Sequence, residues 1–112
     1  MINVELIYDR DCPNVAEARA ELMRAFSEAG IAARWVEWDR GDPASPSYVR
    51  SYGSPTVLVN GKDVAGARPM KGVSCCRLYS SADGGFRGAP EAAMIAKALK
   101  SANRKTADKR SI

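Results

Sequence analysis

The opening of the chain predicts a strand, a helix and a second strand, and this order constrains the fold more than any other feature. Residues 2–8 alternate apolar with polar side chains before they end in an apolar pair, which is typical of a strand buried on at least one face. Apolar residues recur at steps of three and four over residues 13–29, and Gly30 supplies a left-handed helix end. Residues 31–38 form the next strand pattern. Because strands joined through a helix pair in parallel, the sheet begins with a parallel pair.

A hairpin follows in the middle of the chain. Residues 45–52 have the N-cap and first-turn chemistry of a short helix. Residues 56–59 predict a strand and residues 62–65 the returning strand, because Asn60-Gly61 between them is the strongest short hairpin signal. Pro55 cannot donate to the ladder, so it lies at the first position of its strand or just outside, where prolines can be cis. The expected architecture is α/β, a four-stranded mixed sheet flanked by helices.

The pattern weakens after residue 65. Residues 66–72 and 80–88 are rich in glycine and predict loops, and residues 73–79 between them form either a last short strand or an ordered loop. Pro90-Glu91 opens a final helix with an apolar face that ends at Ala102. We therefore expect one domain over residues 1–102 and a basic, disordered tail over residues 103–112.

The positive charge belongs to the end of the chain. Between Lys97 and Ile112 there are six basic residues and one acidic residue, a net charge of +5, whereas residues 1–96 carry −1. A solvated helix end with a frayed tail explains this better than an arm that binds nucleic acid, so we expect no nucleic-acid partner. No apolar run approaches the roughly 18 residues that span a bilayer, and the start lacks a secretory pattern. We expect a cytoplasmic protein without a membrane partner.

The cysteines limit the chemistry. Cys12, Cys75 and Cys76 are an odd set, which does not fit a disulfide-stapled secreted module. The chain contains no histidine, and three sulfurs cannot complete a tetrahedral structural zinc site. A soft cation that accepts two or three sulfurs remains compatible with this set.

Cys12 is the first candidate for a reactive group. It falls at or beside the predicted helix N-cap and is followed by Pro13, which suits a first turn because it lacks the N–H group. Free backbone N–H groups and the positive end of the helix dipole favour the nucleophilic thiolate there. Asp9 and Asp11 oppose it by like charge, and no histidine is present to act as its base.

Taken together, these motifs resemble the thioredoxin-like fold family. They are a strand that leads into Cys12-Pro13 at a helix start, then Ser54-Pro55 ahead of a hairpin, and the resemblance covers roughly residues 1–66 and the last helix. It implies that Pro55 is cis and faces Cys12, and we expect Pro55 and Asp11 to position a substrate. The family's Cys-x-x-Cys is here Cys-x-x-Val, so Val15 excludes a dithiol cycle confined to the helix start.

Two narrower resemblances concern the later cysteines. Small bacterial thioredoxin-like proteins share the Cys-Pro-Asn, Ser-Pro-Thr and Asn-Gly-Lys-Asp-Val segments and a Ser-Cys-Arg-hydrophobic-Tyr segment, which Cys76 to Tyr79 fits. The catalytic domain of organomercurial (alkylmercury) lyases is also similar. There two cysteines bind the carbon–mercury substrate, and an aspartate three residues after the first cysteine delivers the proton. That position is Val15 here, so protonolysis needs Asp9, Asp11 or Asp63 instead.

Both functions require one sulfur to reach another. If Cys75 or Cys76 meets Cys12, Cys12 can attack a disulfide and be resolved by its distant partner, with a small thiol or disulfide as reaction partner and no cofactor. The same sulfurs can instead clamp mercury or another soft metal. Neighbouring residues of an extended segment point in opposite directions, so only one of the two cysteines should reach Cys12. The family pattern alone favours Cys76. Alternatively, Cys75 and Cys76 are inert buried residues.

Two tryptophans and the hairpin edge leave further alternatives open. Trp35 and Trp38 stand at the end of a predicted strand, where such residues more often pack into a core than form an aromatic binding site. A dimer through these residues or the hairpin edge is compatible with the sequence but not required by it.

Overall fold

The computed structural model describes residues 2–70 and 77–110, with side chains as far as residue 104. In chain order, its elements are β1 (Val4–Tyr8), α1 (Val15–Ala29), β2 (Val36–Asp39), a 3₁₀ helix (Ser47–Ser51), β3 (Thr56–Val59), β4 (Lys62–Asp63), β5 (Tyr79–Ser80), β6 (Phe86–Arg87) and α2 (Ala92–Arg110). Across these described residues, neither helix has an apolar stretch long enough to cross a membrane.

Four strands form one mixed sheet in the order β2-β1-β3-β4. β1 runs parallel to β2, and its other edge pairs antiparallel with β3, where Ile7 lies opposite Thr56. β3 and β4 form the antiparallel hairpin around Asn60 and Gly61, both of which have positive φ. The structure thus confirms the parallel opening pair, the hairpin and the four-stranded mixed sheet of an α/β fold.

Both α-helices pack on one face of the sheet. Alternate strand residues point toward them, as the two-residue period of a strand requires, and they meet the apolar faces of α1 and α2. The buried side chains at this interface include Leu6, Val57, Val59, Leu22, Phe26, Ile95 and Leu99. The Trp35 ring stacks on Phe26, with 6.0 Å between centroids and 15° between planes. This layer is the larger of two cores.

The opposite face of the sheet carries a smaller core. Ile7 and Leu58 point to this side and are covered by Val49 and Tyr52 from the 3₁₀ helix and the turn after it, with Trp38 packed against them. Both tryptophans therefore pack against a core, as the sequence predicted. The sheet is thus buried on both sides, although both α-helices lie on one side.

Several element boundaries differ from the predictions. α1 begins at Val15 rather than at residue 13, because Asn14 and not Cys12 occupies the N-cap. β2 is limited to Val36–Asp39, since its ladder with β1 begins where Val36 meets Glu5. The predicted short helix is a 3₁₀ turn over Ser47–Ser51.

The second half differs more. The predicted loop over residues 80–88 contains β6 and the turn of the β5–β6 hairpin, where Gly84 takes a positive φ. Tyr79, which pairs with Arg87, ends the segment predicted as a short strand or an ordered loop. Strands of two residues are too short to leave a periodic pattern, which is why this pair was missed. α2 continues to Arg110, eight residues past the predicted domain end at Ala102. Residues 103–110 are mostly good helix formers, so the backbone continues without an apolar face.

A buried carboxylate joins α1, β6 and α2. Glu21 is 4% exposed, and its Oε1 accepts hydrogen bonds from Arg87 Nη2 at 2.9 Å and from Arg24 Nη1 at 3.0 Å. Its Oε2 accepts the Ala92 N–H at 2.9 Å, which places a negative charge on the first free amide of α2. Arg87 also pairs with Glu17, and these hydrogen bonds to Glu17 and Glu21 raise the pKa of Arg87.

Glu21→Ala is expected to lower the free energy of unfolding by about 2–4 kcal/mol, because it leaves a helix amide and Arg87 without a buried partner. Urea unfolding monitored by circular dichroism measures the change. Glu28→Ala is the matched control: Glu28 lies on the same helix and is exposed, so its loss should cost less than about 0.5 kcal/mol. Equal losses in the two variants would contradict the structural role of Glu21.

A second buried carboxylate lies on the smaller core. Glu5 is 7% exposed on β1, and it accepts hydrogen bonds from Tyr48 Oη at 2.5 Å and from Asn3 Nδ2 at 2.9 Å. Partial burial together with the charge and hydrogen bond of Glu5 raises the pKa of Tyr48 from about 10 to about 12. The neutral phenol is therefore favoured in the folded state.

This shift predicts an alkaline loss of stability. Tyr48 is neutral in both states below about pH 10, and its contribution is lost as the pH rises from about 10 to about 12, where the unfolded chain has already released the proton. Urea unfolding across this window should show a shallower decline in Tyr48→Phe than in the parent protein. Identical slopes in the two proteins would contradict the assignment.

Candidate functional site

Cys12 lies in the loop that joins β1 to α1. Its N–H donates to the Asp9 carbonyl at 3.0 Å, and its side chain is partly exposed while packing against the larger core. Two residues later, Asn14 caps α1, and Gly88 packs so closely against Asn14 that no side chain fits between them. Cys12 is thus beside the helix start, two positions earlier than an N-cap residue.

The turn that precedes β3 lies next to this loop. The Ser54–Pro55 peptide bond is cis, as the sequence resemblance implied, and Pro55 is fully buried. Because Ile7 lies opposite Thr56 in the antiparallel ladder, the end of β1 and the start of β3 share one edge of the sheet. There the Asp9 N–H donates to Ser54 Oγ at 2.8 Å. One hydrogen bond therefore links the Cys12 loop to the turn.

All three carbonyls of residues 53–55 accept hydrogen bonds. Thr56 Oγ1 donates to the Gly53 carbonyl at 2.7 Å, and the Arg77 N–H donates to the Ser54 carbonyl at 2.9 Å. The hydroxyl of Tyr79, which is itself buried, donates to the Pro55 carbonyl. Two of the three donors come from the segment that follows the cysteine pair, so this segment is anchored on the turn.

Arg77 is the most highly connected side chain of this region. Its Nη1 and Nη2 donate to the two Asp63 carboxylate oxygens at 2.9 and 3.0 Å, and Nη1 also reaches Thr56 Oγ1 at 3.1 Å. The guanidinium carbon lies 4.4 Å from the centre of the Tyr79 ring. Burial alone would lower the pKa of Arg77, but Asp63 and Tyr79 raise it above its ordinary value. For Tyr79, whose neutral form is the protonated one, burial raises the pKa.

Two of the three aspartates considered as proton donors are held in ion pairs. Arg40 Nη1 contacts both Asp9 oxygens at 2.9 and 2.8 Å, and the buried Asp63 faces Arg77. Both carboxylates therefore already have an arginine partner within the fold. Arg40 also balances the negative charge of Asp9, the charge that was expected from the sequence to oppose a thiolate at Cys12. Asp11 is exposed beside Cys12.

Val15, which stands where the lyases carry their aspartate, is 7% exposed and belongs to the larger core. The other two cysteines, Cys75 and Cys76, lie outside the described residues. Within residues 2–70 and 77–110, Cys, Asp and Glu side chains form no group of three or more that could hold a metal ion.

Sequence reasoning had no independent signal for Arg77 and Tyr79, which entered only as part of a family pattern. Their roles depend on contacts that join residues 14 to 24 positions apart, which no local periodicity reveals. The burial of Asp63 on the hairpin calls for a cationic partner, but that burial is seen in the structure and not in the sequence.

The fold and this site define a mixed α/β protein with a partly exposed cysteine beside a helix start and an adjacent cis-proline turn. Comparison of the chain with protein-family models, with curated proteins and with solved structures found no match.

Ser54→Ala is expected to lower the free energy of unfolding by about 1–3 kcal/mol, because the Asp9 N–H loses a buried acceptor. Hydrogen exchange of the Asp9 amide should accelerate more than exchange in α1, since the loss is local. Ser47→Ala, at an exposed position of the 3₁₀ helix, is the control and should change neither. An unchanged Asp9 amide in Ser54→Ala would contradict the link between loop and turn.

Proposed function

We propose that this chain is a thioredoxin-like thiol protein in which Cys12 is the nucleophile and Cys75 or Cys76 its distant partner in thiol–disulfide exchange. The observation that carries the proposal is the contact between the Cys12 loop and the cis Ser54–Pro55 turn through Asp9 and Ser54. The thioredoxin-like resemblance implies this neighbourhood of a cysteine loop and a cis proline. Such a thiol requires a reducing compartment, and we assign the protein to the cytoplasm on that ground.

The surroundings of Cys12 support a nucleophilic role. The side chain is partly exposed, so a small disulfide can reach it. Of the two acidic residues just before it, Asp9 is paired with Arg40 and Asp11 is exposed. The chain has no histidine, so deprotonation is left to solvent. The reaction would begin when the Cys12 thiolate attacks one sulfur of a disulfide, forming a mixed disulfide and expelling the other sulfur as a thiolate.

The second half of the cycle needs another sulfur. Val15 is in the position of a resolving cysteine and is buried in the core, so the helix start offers no partner. A thiolate from Cys75 or Cys76 would attack the Cys12 sulfur of the mixed disulfide, release the substrate as a thiol and leave an internal disulfide. The described residue that supports this route is Arg77, which follows the cysteine pair in the sequence and donates its N–H to the Ser54 carbonyl.

Soft-metal or organomercurial binding is the alternative use of the same sulfurs. Its cleaving form, an alkylmercury lyase-like reaction, needs a proton donor. The position that carries an aspartate in the lyases is the buried Val15 here, and Asp9 and Asp63 are engaged by Arg40 and Arg77. The alternative function is therefore mercury binding without cleavage, which the experiment below distinguishes from thiol–disulfide exchange.

Mass spectrometry of the full chain after mild peroxide separates these functions. Peroxide oxidises Cys12 to a sulfenic acid, and a second thiol displaces its oxygen as water, so the protein should lose two hydrogens and yield a peptide that links Cys12 to Cys75 or Cys76. Cys75→Ser and Cys76→Ser serve as matched variants, since only the loss of the true partner abolishes the linked peptide.

A parallel sample treated with mercuric ion tests the alternative. Retention of one mercury per chain that Cys12→Ser abolishes, without any linked peptide after peroxide, would favour metal binding over exchange. If Cys12→Ser changes neither outcome, the reactive site lies elsewhere and the proposed function is wrong.

A further inference from the structure

We propose that Arg77 is a positioning residue for Cys12, which it reaches through Ser54 and Asp9 without touching the sulfur. The inference rests on the proposed function, because it concerns the reactivity of the same thiol. It assigns to the ion pair between Arg77 and the buried Asp63 a role beyond holding the hairpin to the segment that follows the cysteine pair.

Three hydrogen bonds connect Arg77 to the Cys12 loop. The Arg77 N–H donates to the Ser54 carbonyl at 2.9 Å, and the Oγ of the same serine accepts the Asp9 N–H at 2.8 Å. The Asp9 carbonyl in turn accepts the Cys12 N–H at 3.0 Å. Ser54 is completely buried, so neither of its bonds is readily replaced by water. A displacement of Ser54 is therefore transmitted to the Cys12 loop.

The Arg77 side chain determines where its backbone lies. Asp63 holds both ends of the guanidinium fork, Thr56 Oγ1 accepts a third hydrogen bond, and the Tyr79 ring covers one face. Asp63, from β4, has a fully buried side chain, and its second oxygen also accepts the Ala67 N–H at 2.8 Å. This planar arrangement fits arginine, since lysine offers a single charged point in place of a fork.

The guanidinium and the turn are also linked through their neighbours. Thr56, which accepts from Arg77, donates to the Gly53 carbonyl, and Tyr79, which stacks under Arg77, donates to the Pro55 carbonyl. The arginine thus contacts or orders every group that fixes residues 53–55. Removal of the guanidinium should loosen the turn first and the Cys12 loop second.

The test uses the full chain carrying Cys75→Ser and Cys76→Ser, so that Cys12 is the single remaining thiol. In this background, Arg77→Gln should raise the rate of Cys12 alkylation by iodoacetamide about fivefold, because the partly buried thiol becomes more accessible when its loop opens. The Asp9 and Cys12 amides should lose protection from hydrogen exchange by a similar factor, while Leu22 in α1 keeps its own. Arg77→Lys should restore part of the parent behaviour.

Two further variants keep the result interpretable. Asp63→Asn weakens the same ion pair and should also raise the rate of Cys12 alkylation. This variant provides the test if Arg77→Gln fails to fold. Arg24→Gln is the charge-matched control, since Arg24 is an exposed arginine of an ion pair on α1 and should leave Cys12 unchanged.

The proposal is overturned if Cys12 alkylation stays within about twofold of the parent in Arg77→Gln, since local opening would change it more. It is also overturned if Leu22 loses protection as strongly as Cys12, because that pattern marks a purely structural role. Alkylation requires neither a disulfide nor a metal. Failure of thiol exchange in the peroxide experiment therefore leaves this outcome independent, and the two failures can be told apart.

Discussion

The antiparallel pairing of β1 with β3 is the constraint on which the rest of the site depends. Because Ile7 lies opposite Thr56, the last residues of β1 and the residues before β3 are brought to the same edge of the sheet. A register shifted by one residue would turn β1 over relative to β3, which moves Leu6 away from the helices and Ile7 away from the smaller core. Burial on both faces therefore fixes the register, and the register fixes which loops meet.

The turn at residues 53–55 is buried, and the polar groups of a buried turn need hydrogen-bond partners. Its carbonyls are taken by Thr56, Arg77 and Tyr79, and Ser54 Oγ is taken by Asp9. Two of these donors come from a distant segment, and Arg77 of that segment is held by the fully buried carboxylate of Asp63. The architecture of the site follows from this sequence of requirements.

The sequence was most informative where patterns are local and least informative where distant residues meet. The alternation before Tyr8, the helical spacing of α1 and the Asn60-Gly61 turn predicted the central sheet, since each depends on neighbours within a few positions. The β5–β6 hairpin was missed because its strands are too short to show a period. The N-cap was placed two residues early, since Pro13 suits a first turn as readily as the position before a cap. Arg77 and Tyr79 depend on long-range contacts that no window of sequence contains.

Cys12 is held between two elements that are fixed independently of each other. On one side α1 is tied to β6 and α2 through Glu21 and Arg87, and on the other the turn is tied to β4 through Arg77 and Asp63. Each tie is an ion pair with a buried carboxylate, and removing either partner of such a pair destabilises the fold. These two ties thus define the position of the loop between them. Under the proposed function, a cysteine fixed in this way finds no resolving sulfur at the helix start, because Val15 is buried where a neighbouring sulfur would stand.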